Sequence, residues 1–193
     1  SSGLQGSNWI ESADFDGDGE TEIAAGSTAD SRVSFLGRGA DDALVVESIV
    51  DVGAPVLQFK SADLDGDGRV DLVVGIDGGV RILRNRSTGG TYDFEVIVAP
   101  LALASSAVPF GIAVADLDRD GDFDLAVCDV AGGGLHLLPG TPTPFVFDVP
   151  SVIDLGGGPI DVASADFTGD GLLDLAVSRN NQAEIRVLRN DGG

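Results

Sequence analysis

Apolar residues in this chain come in short runs of four to eight, bounded by glycine, aspartate, asparagine or proline. They are rich in Val, Ile, Leu and Phe and lack the i, i+3, i+4 spacing of an amphipathic helix, so they predict β-strands. A short alternating segment, "NWIESA", "LQFKSA", "GIAVA" or "DVASA", precedes an acidic stretch. Each stretch leads into a nearly continuous apolar run: "EIAAG", "DLVVG", "DLAVC" and "DLAVS". Unbroken apolar runs suit strands covered on both faces. Some ten residues later comes a third run: "RVSFLG", "GVRILRN", "GLHLLPG" and "EIRVLRN". A fourth follows in the first three copies: "ALVVESIV", "DFEVIV" and "FVFDV".

The order strand a, acidic loop, strand b, turn, strand c, turn, strand d therefore recurs four times at a period of about 50 residues. Four antiparallel strands per unit at that period fit the blades of a β-propeller. The expected fold is all-β and propeller-type, one domain over residues 1–193 with repeats at roughly 7–53, 54–105, 106–156 and 157–193. The last blade is expected to be incomplete, because the chain stops just after strand c and only six residues before Ser7 stand in for a strand d. Three arrangements stay open: part of a longer propeller, an edge completed by another copy, and a closed four-bladed ring. An open blade edge also invites self-association.

Composition changes the picture in two ways. At 43% hydrophobic the chain can bury a core, and its 28 glycines favour turns over long helices. A formal charge of −21 leaves no basic surface for phosphates, which argues against nucleic acid and anionic membranes. No apolar run approaches a membrane span. The lone Cys128 cannot form an internal disulfide, and the opening "SSGLQG" reads as a cut edge rather than a secretory signal.

The acidic stretches carry the chemistry. They read "DFDGDGETEI" from Asp14, "DLDGDGRVDL" from Asp63, "DLDRDGDFDL" from Asp116 and "DFTGDGLLDL" from Asp166. Numbering each loop from its first acid, position 3 is Asp16, Asp65, Asp118 or Thr168, and position 5 is Asp18, Asp67, Asp120 or Asp170. Position 9 is Glu22, Asp71, Asp124 or Asp174. Carboxylates this close repel one another, so a recurring cluster implies a positive partner. The fitting one is Ca²⁺, which accepts about 6 to 8 oxygens in tolerant geometry. Position 6 is always glycine (Gly19, Gly68, Gly121, Gly171), as a sharp loop with positive φ requires. Position 7 varies (Glu20, Arg69, Asp122, Leu172), which suits a ligand supplied by the backbone carbonyl. Positions 2 and 10 are always apolar and are expected to pin the loop ends into the blade core. Solvated acidic turns are the bland alternative for one copy, and four copies with fixed positions weaken it. Mg²⁺ fits less well because it retains waters, and Zn²⁺ less still with one His and one Cys. The closing acid at position 9, leading into a strand, excludes an EF-hand.

The pattern D-x-D-G-D-G-x-x-D-[LI] between strands a and b, with the Phe110-Gly111 pair ahead of the third loop, resembles the FG-GAP/VCBS repeat. The resemblance implies a β-propeller with up to four Ca²⁺, one per loop, acting structurally. It also implies an extracellular or cell-surface module for adhesion, protein–protein interaction or assembly, with a protein or glycan ligand. A lectin-type propeller is the alternative reading, and a polysaccharide-active enzyme a more remote one. The sequence departs from the pattern at Arg119, Thr168 and Glu22, and the fourth site is expected to be weakest because Thr168 offers a neutral oxygen.

Among other groups, His136 on strand c is expected to face outward and Cys128 to be buried. Trp9 and Tyr92 suit packing more than sugar stacking. Asn85-Arg86-Ser87 is a glycosylation sequon, and "TPTP" at residues 141–144 an exposed turn open to modification at Thr141 or Thr143.

Overall fold

The computed structural model describes residues 7–97 and 107–192. The first sheet contains β1 (Ser7–Ala13), β2 (Glu22–Ser27), β3 (Arg32–Arg38) and β4 (Leu44–Asp51). The second contains β5 (Val56–Ala62), β6 (Asp71–Ile76), β7 (Gly79–Asn85) and β8 (Phe94–Ile97). The third contains β9 (Pro109–Ala115), β10 (Asp124–Asp129), β11 (Gly134–Leu138) and β12 (Ser151–Asp154). The fourth contains β13 (Pro159–Ala165), β14 (Asp174–Arg179) and β15 (Glu184–Leu188), with a 3₁₀ turn at Asn180–Gln182. Every sheet is an antiparallel meander in chain order. The result is four blades of three or four strands, as the periodicity predicts.

The first strands β1, β5, β9 and β13 lie side by side in that order, and neighbouring sheets stack face to face. Hydrophobic clusters fill the spaces between blades. Phe15, Phe35, Phe59, Leu72 and Leu83 lie between blades 1 and 2. Val73, Ile112, Leu125, Val127 and Leu138 lie between blades 2 and 3. Ala126, Cys128, Leu135, Val162, Leu175 and Val177 lie between blades 3 and 4. In β10, Leu125 and Val127 face one neighbour while Ala126 and Cys128 face the other. Period-2 alternation thus serves two apolar faces at once, which is why the b strands read as unbroken apolar runs.

Several expectations are corrected. The third blade's outer strand is Ser151–Asp154, not "FVFDV" at 145–149. That segment instead turns back: Phe147 bridges to Gly140 and packs between blades 2 and 3, while Val149 is 89% exposed. Position 2 is held in the inter-blade core at Phe15, Leu64 and Leu117, but Phe167 is 50% exposed. Position 2 faces the following blade, and none of the described residues follows blade 4. His136 is buried, with its Nε2 3.6 Å from Asp129, rather than facing outward. The 54–105 repeat boundary and the six residues before Ser7 lie outside the described residues.

Aromatic residues pack as expected. Trp9 meets Phe110 edge-on at 6.2 Å, and Tyr92 lies 5.5 Å from Phe35 with its hydroxyl donated to Glu47. Burial pushes the Cys128 thiol up to about 12. Asn85 of the sequon is only 1% exposed and both its amide hydrogens are engaged, so the folded chain offers no site for a glycan there.

Candidate metal centre

Each acidic loop connects the first and second strands of its blade, and all four fold alike. The first acid accepts amide hydrogens from within its loop: Gly19 to Asp14 (3.0 Å), Gly68 to Asp63 (2.9 Å), Gly121 to Asp116 (3.2 Å) and Gly171 to Asp166 (2.8 Å). The acid at position 5 accepts the amide of position 7 in every copy, at 2.8–2.9 Å. These turns wind the chain around the carboxylates. They require positive φ at position 6, where the glycines have φ of 85–94°. Position 4 is left-handed as well. Arg119 adopts φ 67° there without glycine's freedom, at a cost of about 1–2 kcal/mol. Its guanidinium reaches the Gly171 carbonyl in the neighbouring loop.

Position 9 has a second task. Asp71 accepts the Leu64 amide at 2.9 Å and the Asn85 amide at 2.7 Å, one on each oxygen. Asp124 does the same with Leu117 and Gly140, and Asp174 with Phe167 and Asn190. This buried carboxylate clasps the start of its loop to a residue at or just past the end of strand c. Glu22, one methylene longer, holds Phe15. The sequence pattern marks position 9 as a ligand; its clasping role is legible only once the strand register sets Asn85 beside Asp71.

Carboxylate oxygens converge to within 4.8 Å in three of the loops: Asp14, Asp16 and Asp18; Asp63, Asp65 and Asp71; Asp116, Asp118 and Asp124. Asp67, Asp120 and Glu22, also expected as ligands, are not in these groups. In the fourth loop Asp166, Asp170 and Asp174 surround Thr168, and no such trio forms among the described residues. The side chains of Glu20 and Asp122 are absent from the converging sets, and Arg69 and Leu172 bring no side-chain oxygen. Burial, then the neighbouring Asp18 carboxylate, raises the pKa of Asp16 above its ordinary value. Burial also raises Asp124, and it lifts Asp71 to about 6 against its two amide donors. Asp170 moves down, held by the Leu172 amide and helped by Arg189 and Arg119.

The donor sets fit a hard divalent cation. All are oxygens, and they cluster where mutual repulsion disfavours the charged form. Asp116 Oδ1 is moreover buried with no hydrogen-bond donor, a group that a cation would satisfy.

Comparison with known proteins agrees with the repeat and the fold. Residues 63–127 match the FG-GAP-like repeat family. No curated protein matches the chain. Among solved structures it is similar to BBS1N, crystallised in complex with ARL6DN and soaked with lead, with a TM-score of 0.59 at 14% identity. The match covers 94% of this chain and 56% of that one, so the chain spans little more than half its length. At that identity the likeness establishes the fold alone. The chain therefore carries an FG-GAP-like repeat at residues 63–127, set among four blades of β-propeller type.

Proposed function

We propose that this chain is an extracellular interaction module whose blades are braced by calcium in the loops between their first and second strands. The observation that carries the reading is the convergence of three carboxylates in each of three loops of one backbone design. Bound there, the ion would neutralise the carboxylates. Asp14, Asp16 and Asp18 would hold it in blade 1, Asp63, Asp65 and Asp71 in blade 2, and Asp116, Asp118 and Asp124 in blade 3. Asp166, Thr168, Asp170 and Asp174 would form a poorer set in blade 4. The role is structural: with the loop fixed, strands a and b and the neighbouring blade keep their register. Numerous oxygen-only sites suit the millimolar calcium found outside cells.

A protein partner is favoured because the propeller that this fold resembles was captured with one, ARL6DN. Blade edges and the exposed outer strand β4, with Leu44, Val45 and Ile49, offer surface for such contacts.

Thermal melts at neutral pH with excess calcium and with excess chelator test the metal part. Calcium should raise the melting temperature, and magnesium at equal concentration should do so less. Identical curves would remove calcium from the account while leaving the fold intact.

A further inference from the structure

We propose that the four loops are of two kinds: loops 1 and 3 take a divalent ion, whereas loops 2 and 4 carry their own cation, an arginine from strand c. This rests on the calcium reading above and narrows it: the blade 2 carboxylates converge, but Arg84 takes the ion's place among them.

The register identifies the deciding position. Leu36, Leu83, Leu138 and Leu188 pair with Ile23, Leu72, Leu125 and Leu175, the tenth residues of the four loops. The residue after each of these leucines sits beside its own acidic loop. It is Gly37 in blade 1, Arg84 in blade 2, Pro139 in blade 3 and Arg189 in blade 4. Arg84 Nη2 lies 3.0 Å from Asp65 Oδ2, and that carboxylate is only 5% exposed. Arg189 Nη2 lies 3.3 Å from Asp170 Oδ2.

Arg84 is clamped from outside as well. Phe145, in the turn that leaves β11, stacks with its ring centroid 5.3 Å from the guanidinium carbon. It does so in the left-handed region at φ 63°, a strained conformation for a phenylalanine that persists where contacts demand it. Arg69 adds a second guanidinium on Asp67. Every oxygen of the Asp63, Asp65 and Asp71 trio then has an N–H partner. Loop 4 has lost an acid at Thr168 and receives Arg119 on the Gly171 carbonyl.

The odd loops are the reverse. A side chain at Gly37 would collide with the carboxylate of Glu47, so blade 1 places an acid where blades 2 and 4 place a base. In loop 3 the proline supplies no charge, and Asp116 Oδ1 stays buried without a donor. A guanidinium is permanently charged and, being tethered, competes at high effective concentration with a free ion.

Native mass spectrometry of the full chain at about 1 mM free calcium, where weak extracellular sites fill, tests this. The parent should carry two ions, Arg84→Gln three, and Pro139→Arg one. A parent that carries any other number overturns the proposal, whether or not the variants fold. So does a folded Arg84→Gln with an unchanged count. If neither parent nor variants bind calcium at any concentration, the calcium reading itself fails, a result distinct from ions bound in the wrong number.

Discussion

The side-chain amide of Asn85, at the end of β7, donates to the carbonyl of Phe15 at 2.9 Å and to that of Val70 at 3.0 Å. Phe15 belongs to the acidic loop of blade 1 and Val70 to that of blade 2, so one buried residue joins neighbouring loops. Asn190 repeats the arrangement between Leu117 and Leu173. Blade 3 has Gly140 at this register, and its loop over blade 2 is fastened through Phe145 and Phe147 instead. Removing the amide in Asn85→Ala leaves two carbonyls without donors, at about 1–3 kcal/mol each when buried. A loss of about 2–6 kcal/mol is expected by urea denaturation. Asn85→Asp should be worse, since a carboxylate would face both carbonyls. A loss below about 0.5 kcal/mol would mean that water replaces the bridge.

Asp71→Asn separates the clasp from any ligand role. Asn can offer one amide an oxygen but turns an NH₂ group toward the other, so one buried donor loses its acceptor. The expected cost is about 1–3 kcal/mol in calcium and in chelator alike. Asp16→Asn, by contrast, should leave the chelated protein unharmed or more stable, because it removes repulsion from Asp14 and Asp18, and should lose only the calcium-dependent increment. Equal behaviour of the two variants in both buffers would contradict the division of labour between positions 3 and 9.

The four units, their strands and the acidic loops were legible because each rests on local information: period-2 alternation, glycine at position 6 and fixed acid spacing. The clasp by position 9 and the bridges by Asn85 and Asn190 were not, because they depend on register between strands and on which blade lies alongside. "FVFDV" misled for a related reason. Its apolar residues are as strand-like as those of β8, but Phe145 and Phe147 bury against blade 2, a neighbour that local pattern does not reveal. His136 likewise looked like a surface residue until β11 was placed between two sheets.

The raised acids make the metal-free protein more stable in mild acid. Asp71 titrates at about 6 in the fold against an ordinary 3.8, and burial raises Asp16, Glu22 and Asp124 in the same direction. A folded value above the unfolded one contributes stability that is present at low pH and lost as pH rises through the folded value. Asp51 and Asp170 are lowered and act oppositely, weakening the fold as pH falls below 3.8. In chelator, the melting temperature should therefore be higher near pH 5 than near pH 7.5, by about 2–4 °C per kcal/mol. With calcium the order should reverse, since the ion favours ionised carboxylates. A chelated protein that gains stability from pH 5 to 7.5 would contradict this.

Two glycines are required for different reasons, and substitution should tell them apart. Gly111, beside Phe110 in β9, faces the backbone of β13: an added Cβ would sit 2.5 Å from Asp161 Cα and 2.8 Å from the Ile160 carbonyl oxygen. Neither atom can move without moving the strand, so Gly111→Ala must push blade 4 away from blade 3. Overpacking of this kind costs about 1–3 kcal/mol. Hydrogen exchange should quicken in β9 and β13 and stay unchanged in β1 and β2. Gly19 has open space around it but φ 94°, so Gly19→Ala strains only its own loop. Its cost of about 1–2 kcal/mol should appear as faster exchange within residues 14–22 alone, with the blade stack undisturbed. Were Gly111→Ala to perturb only its own strand, the blades would be separable units, and the close approach of β9 to β13 would contribute little to holding them together.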